Sequence, residues 1–236
     1  MTNRPLGPIV AHWQPAAAPD GVSLSGRYAT LTPLDLKADA PGLWETMKNA
    51  PWLWDYLYEE APADFAAFQN SIAHLEGSRD HPCLVIRVRD APTPLGYACF
   101  WTNAPATGTT EIGNVNLSPA LQRTPAATEA FFLMIDWAFA HGYRRVEWKC
   151  NALNRPSRRA AQRLGFSYEG VFRQHLVVKG RNRDTAWFAM TDADWRQMRP
   201  AYDRWLDPDN FDGAGQQRTS LGDLTRPHLF QADPTL

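Results

Sequence analysis

Residues Asn114 to Phe131 read NVNLSPALQRTPAATEAF, the pattern of a strand running through a tight loop into a helix. The first turn of a helix has unpaired N–H groups and a partial positive charge, so such a junction is a natural diphosphate site. Phosphate loops usually place glycine here, whereas this chain has Arg123 and Pro125. Proline gives up one N–H donor but is preorganised for the first helical turn. Ala127 is small enough for a ligand to approach the backbone, and Arg123, Thr124 and Thr128 are further side-chain donors. The same residues also make an ordinary capped helix start, so the junction alone supports both readings.

Further along, Asn154 and Ser157 stand three residues apart with Pro156 between them. That spacing puts them on one turn, and proline suits the start of a helix. Asparagine is also a preferred N-cap, so capping by itself explains its place. His175 sits in the segment SYEGVFRQHLVV, where a lone histidine is either structural or a proton acceptor. Trp52, Trp54, Tyr56 and Tyr58 precede Glu59 and Glu60. Aromatic rings hold apolar or cationic groups and carboxylates attract amines, although core packing accounts for the rings equally well.

The elements that must position these residues follow from periodicity. Residues 1–21 carry Pro5, Pro8, Pro15 and Pro19 and read as an extended arm. VSLSGRYATLTPL alternates as a half-buried strand, and Asp35 caps a helix with Leu36, Leu43 and Met47 on one face. PWLWDYLYEEAP is an irregular aromatic segment, after which Pro62 opens a helix to about His74. Three strands near 83–89, 95–102 and 109–118 form an antiparallel meander. A helix from Pro125 to about His141, a buried strand RRVEWKC, and a helix from about Asn154 to Leu164 come next. SYEGVFRQHLVV and RDTAWFAM flank the hairpin turn KGRN, and a last helix spans about Asp192 to Leu206. The polar segment 208–236 lacks periodicity, and Phe211, Leu221 and Phe230 are its candidate docking residues; it is expected to be partly disordered.

The composition narrows the classes of function. The chain has 236 residues, 44% of them hydrophobic, and 24 Lys plus Arg against 25 Asp plus Glu, a net charge of -1. That length suits one full core, and that balance provides no field for polyanions, so neither nucleic acid nor membrane is an expected partner. Cys83, Cys99 and Cys150 are odd in number, far apart and without C-x-x-C spacing, as buried free thiols are. The N-terminal residues lack the apolar core of a signal peptide, and no run approaches roughly 20 apolar residues. A cytoplasmic protein is the expectation.

The element order, with EIG at 111–113, LSPALQ at 117–122, TEA at 128–130, NALNRPS at 151–157, RLGF at 163–166, YEGVFR at 168–173 and Asp184, resembles the GNAT superfamily of N-acetyltransferases, specifically its RimJ/RimL-like branch. The resemblance covers about Val22 to Trp195. It implies a mixed α/β fold in which a twisted, mostly antiparallel sheet of about seven strands splays between the fourth and fifth and is flanked by helices. The domain expected is 22–207, between the arm and the polar tail. The resemblance implies acetyl-CoA as co-substrate and no metal. The fourth strand, with Asn114, Val115, Asn116 and Leu117, would pair with the pantetheine arm, and its amides would polarise the thioester carbonyl. The family's loop pattern Q/R-x-x-G-x-G/A falls on Gln122, Arg123, Thr124, Pro125, Ala126 and Ala127, with proline where the first glycine stands. Asn154 would contact the cofactor arm and Ser157 the thioester sulfur, where it would hydrogen-bond or protonate the departing thiolate.

An attacking amine must lose a proton, and the candidates to take it are Glu111, which matches EIG, and His175. Trp52, Trp54, Tyr56 and Glu59 fall where the family shapes its acceptor pocket. The expected activity is direct acetyl transfer, in a ternary complex, to a primary amine of a small molecule or a protein N-terminus. A catalytically silent acyl-CoA-binding module is the alternative, and a homodimer is left open.

Overall fold

The structure is a computed structural model and describes residues 4–236. Eight strands form one sheet in the order β1-β2-β3-β4-β5-β6-β8-β7. They are β1 (Leu24–Ser25), β2 (Ala29–Pro33), β3 (Cys83–Val88), β4 (Pro94–Ala104), β5 (Thr109–Leu117), β6 (Arg145–Asn151), β7 (Ser167–Val178) and β8 (Arg181–Thr191). The count exceeds the expected seven because VSLSGRYATLTPL is a hairpin and not one strand. Its turn is held by Glu129, whose buried carboxylate accepts the amides of Arg27, Tyr28 and Ala29 at 2.6–2.8 Å.

Every pairing is antiparallel except β5 with β6, which run parallel. Their register covers only Thr109, Thr110 and Glu111 against Arg145, Val146 and Glu147. Beyond Glu111 and Glu147 the two strands separate, although β5 continues to Leu117 and β6 to Asn151. The splay expected between the fourth and fifth strands is therefore present, one number later because of the short β1. Strands that part leave backbone N–H and C=O groups facing a cleft, where a ligand can take the place of a neighbouring strand.

Helices cover both faces. On one, α3 (Pro125–Ala140), α4 (Arg155–Arg163) and α5 (Asp192–Trp205) enclose a core that includes Phe100, Ile112, Met134, Val146 and Phe188. On the other, α1 (Leu36–Met47) and α2 (Phe65–Ile72) close over Val85, Tyr97 and Cys99. Asp35 caps α1 by accepting the amide of Ala38 at 2.9 Å. Pro62 lies outside α2, which starts three residues later because Asp64 caps it through the Ala67 amide at 2.8 Å. The three cysteines are buried and free.

Both ends of the described chain pack on the domain. In the arm, the Ala16 and Ala17 amides donate to the carbonyls of Pro105 and His141. The polar tail packs on the domain through short elements and single contacts. It forms the short α6 (Leu221–Thr225), buries Leu221 completely and leaves Phe230 outside, 87% exposed. Its anchor is Asp233, whose buried carboxylate accepts from Arg158 of α4 at 2.8 Å, while Thr235 takes a second Arg158 N–H at 2.6 Å. Sequence periodicity misses such a segment because it docks through scattered residues, Phe211, Leu221 and Leu224 on the core and Asp233 on Arg158, with no repeat between them.

Candidate active site

Three structural units meet where β5 and β6 part. The first is the end of β5 and the loop that follows. Between Cys99↔Gly113 and Tyr97↔Asn116, β5 uses one residue more than β4, and Asn114 takes up the extra step with φ 46. This bulge turns the strand's last residues out of regular pairing, as bulges beside active sites do. Gly113 is required there, because a Cβ would stand 2.8 Å from Trp101 Cβ and 3.0 Å from Glu111 Oε1. Val115 and Leu117 are half-buried, while Asn116 is buried with neither end of its side-chain amide in hydrogen-bond geometry with protein.

The loop is a tight turn. Gln122 Nε2 donates to the Leu117 carbonyl at 2.9 Å, and Arg123 adopts the left-handed conformation, φ 61, with an exposed side chain. Thr124 caps α3, its hydroxyl accepting the Ala127 amide at 3.1 Å and donating to the Leu121 carbonyl at 2.7 Å. The amides of Arg123 and Ala126 have no protein acceptor among the described residues. Those two donors at a helix start are what a diphosphate needs, so the cradle fits the cofactor despite Pro125. Thr128 does not contribute. Its buried hydroxyl accepts from Arg163 at 3.0 Å, because the helix turns it toward α4.

The second unit is the start of α4. The Asn154 side-chain Oδ1 accepts the Ser157 amide at 3.1 Å, the capping bond its sequence position allows. Ser157 Oγ accepts the indole N–H of Trp148 at 3.0 Å. With a lone pair so occupied, the hydroxyl proton remains free to be donated. Beside it, burial pushes the Cys150 thiol up to about 11, with Ser157 partly offsetting this, so Cys150 is a neutral neighbour.

The third unit lies on the α1/α2 face. Glu111 is 5% exposed and its Oε2 accepts from Lys149 at 3.0 Å and from the Thr102 hydroxyl at 2.8 Å. Both contacts use the same oxygen and leave Oε1, the one beside Gly113, unengaged. Lys149 also meets Glu147 at 2.8 Å and lies 4.4 Å from the centroid of Trp187. Burial pulls the Lys149 ammonium down, but Glu111 and Glu147 outweigh it and hold it above the ordinary lysine value. Burial likewise pushes the Glu147 carboxyl up, and Lys149 and Arg145 outweigh this and hold it low.

His175 is exposed, with Nδ1 3.0 Å from the Thr185 hydroxyl and its ring 6.2 Å from Trp187. A bulge aims it: between Phe172↔Thr185 and Leu176↔Arg183, β7 takes two extra residues, and Gln174 has φ 50. Glu111 and His175 thus both border the Lys149–Trp187 pair. Of the aromatic segment, Trp54 is core, 4% exposed and edge-on to Phe68, so it lines no open pocket. Trp52 and Tyr56 are exposed and Glu59 is half-buried. The segment is joined to the β7–β8 hairpin by Lys179, which donates to the Trp54 carbonyl at 2.7 Å, and by Arg183, stacked on Tyr58. Among the described residues no three His, Cys, Asp or Glu side chains are grouped to hold a metal ion.

Sequence reasoning missed Trp148, Lys149, Arg183 and Trp187. Only Lys149 carried a signal, a charge between the apolar Trp148 and Cys150 in RVEWKCN; Arg183, in the polar run RNRD, carried none.

An open, mostly antiparallel sheet splayed between β5 and β6 and flanked by helices is the architecture of an acetyltransferase fold. The family model described as Acetyltransferase (GNAT) domain matches residues 29–167. The chain belongs to that family. It is 40% identical to a GCN5-related N-acetyltransferase from Brucella melitensis, over 92% of this chain and 100% of that one, with a TM-score of 0.88. A GNAT-family acetyltransferase from Chromobacterium violaceum is 38% identical over 82% and 98% of the two chains, with a TM-score of 0.78. The microcin C7 self-immunity acetyltransferase MccE, solved with acetyl-CoA and AMP, shares the fold at 20% identity, over 70% and 93%, with a TM-score of 0.62. No curated protein sequence matches this chain significantly.

Proposed function

We propose that this chain moves an acetyl group from acetyl-CoA to a primary amine by direct attack in a ternary complex, as a RimJ/RimL-like enzyme. The observation that carries the reading is Ser157, whose hydroxyl takes the Trp148 N–H and keeps its own O–H to donate. The amides of Arg123 and Ala126, and the cap by Thr124, support a diphosphate at the start of α3. β5 beyond its bulge would pair with the pantetheine arm, and Asn154 would meet that arm beside Ser157. Acetyl-CoA supplies the activated acetyl group.

The residues then divide the proton work. As the amine nitrogen bonds to the acetyl carbon, Glu111 Oε1 takes its proton, directly or through water, while Lys149 and Thr102 hold Oε2 in place. His175 is the second acceptor, on the other side of Trp187. As the carbon–sulfur bond breaks, the Ser157 hydroxyl donates a hydrogen bond to the thiolate, and the proton taken from the amine returns to the sulfur through water, so Ser157 keeps its own proton overall. Trp52, Tyr56 and Glu59 form the rim that the amine crosses, and three buried free thiols suit a reducing compartment such as the cytoplasm.

Isothermal titration tests the first requirement. Saturable binding of CoA to the wild type, weakened when Thr124 and Arg123 are replaced together, is expected; no heat of binding at any ratio refutes the reading.

A further inference from the structure

Two buried donors on β8 have no acceptor. Arg183 is 6% exposed, and its Nε lacks a hydrogen-bond partner. The Trp187 indole N–H, four residues along the same strand, is buried and unpartnered as well. Only two arginines of the described chain are buried this deeply, and the other, Arg158, has Asp233 and Thr235. Arg183 has no such carboxylate: Glu60 faces Lys179 at 3.9 Å, and the guanidinium lies 4.6 Å from the centroid of Tyr58. Burying a cation without a counter-charge is strongly unfavourable, which a partner arriving from outside the chain explains.

The strand shows where that partner sits. Alternation puts Arg183, Thr185 and Trp187 on one face of β8. Thr185 meets His175 on that face, and Trp187 lies under Lys149, which holds Glu111. The orphaned donors therefore lie on the same face of the sheet as both proton acceptors, on the side of the aromatic segment and opposite to α3. We propose that the acceptor amine carries an oxyanion, carboxylate or phosphate, bound by Arg183 and the Trp187 N–H. Arg183 is then a specificity residue, its planar fork suited to either anion. This rests on the acetyl-transfer reading and adds the acceptor's charge to it.

Acetyl-CoA-dependent thiol release with matched amines tests the proposal: phenylalanine against phenylalaninamide, and phosphoethanolamine against ethanolamine. The wild type is expected to favour the anionic member of at least one pair by about ten-fold or more in kcat/KM. The pair that shows it distinguishes carboxylate from phosphate. Arg183→Gln should reduce that ratio to within about two-fold. No preference in either pair, as for an acceptor recognised only as a peptide N-terminus, or a preference that survives R183Q, overturns the proposal. If no amine is acetylated, the acetyl-transfer reading fails separately, and tryptophan fluorescence then decides. Acetate or inorganic phosphate should give saturable quenching in the wild type and not in R183Q. Absent quenching, or equal quenching in both, overturns it. Because Arg183 has no carboxylate partner in the free protein and only its stacking on Tyr58 to lose, R183Q should unfold close to the wild type; a large loss of thermal stability would make the guanidinium structural and contradict the proposal.

Discussion

Replacing Lys149 by methionine removes the one cation that Glu111 and Glu147 share. The Nζ lies 3.0 Å from Glu111 and 2.8 Å from Glu147, and the three side chains are 16%, 7% and 11% exposed. At an effective dielectric of about 20, each pair at about 3 Å is worth roughly 5 kcal/mol before desolvation. Most of that is offset by the cost of burying the charges. Glu147 retains Arg145 at 2.8 Å, but Glu111 loses its only ionic partner. Leaving a buried charge unpaired costs about 3–5 kcal/mol, which for a chain of this size lowers the midpoint of thermal unfolding by roughly 10 °C.

The cost depends on pH with a definite sign. Glu147 has a depressed carboxyl, so its contribution is present above the unfolded carboxylate value and fades as pH falls through the folded one. Lys149 has a raised ammonium, so its contribution is present below the unfolded lysine value and fades as pH rises through the folded one. The gap between wild type and K149M is therefore widest near neutrality and narrows in acid, as pH falls through the depressed Glu147 carboxyl. Guanidinium unfolding of both proteins across that range measures it. A gap under about 1 kcal/mol at neutral pH, or one that does not narrow in acid, would refute the assignment of Lys149 as the shared counter-charge.

Further perturbations test the other units. Ser157→Ala should reduce kcat by about a hundred-fold or more while acetyl-CoA affinity changes little, since the Asn154 cap uses the Ser157 backbone; an unchanged kcat removes Ser157 from the chemistry. Glu111→Gln should abolish or shift the acidic limb of the pH–rate profile, and a limb at its wild-type position would transfer the proton to His175 or water. Asp233→Asn should destabilise by about 3–5 kcal/mol in denaturant titration, because Arg158 is left buried without its carboxylate; a loss under about 1 kcal/mol would show that the tail does not anchor α4.

What was legible beforehand follows from what a local pattern encodes. The helix read from Pro125 to about His141 is α3, Pro125–Ala140, because its apolar stripe and its proline at the first turn are local signals. Lys179 and Gly180, with φ 50 and 68, form the hairpin turn expected of KGRN. The Asn154–Ser157 spacing produced the cap it suggested. Contacts between distant segments were not legible. Glu111 and Lys149 are 38 residues apart, and Arg158 and Asp233 are 75 apart. Hydrophobic alternation says that a strand is buried and not which charge meets which. The bulges at Asn114 and Gln174 depend on the register of a partner strand, so a single segment carries no sign of them. Trp54 shows the limit for aromatic residues: PWLWDYLY contains core and rim rings, and only packing against Phe68 separates them.

The most direct test of acetyl transfer is thiol release from acetyl-CoA, followed with and without a panel of primary amines. The account predicts release that depends on an amine, that produces the acetylated amine in equal amount by mass spectrometry, and that collapses in Ser157→Ala. Saturable CoA binding with no amine-dependent release across the panel would contradict it and leave a protein that binds acyl-CoA without turning it over.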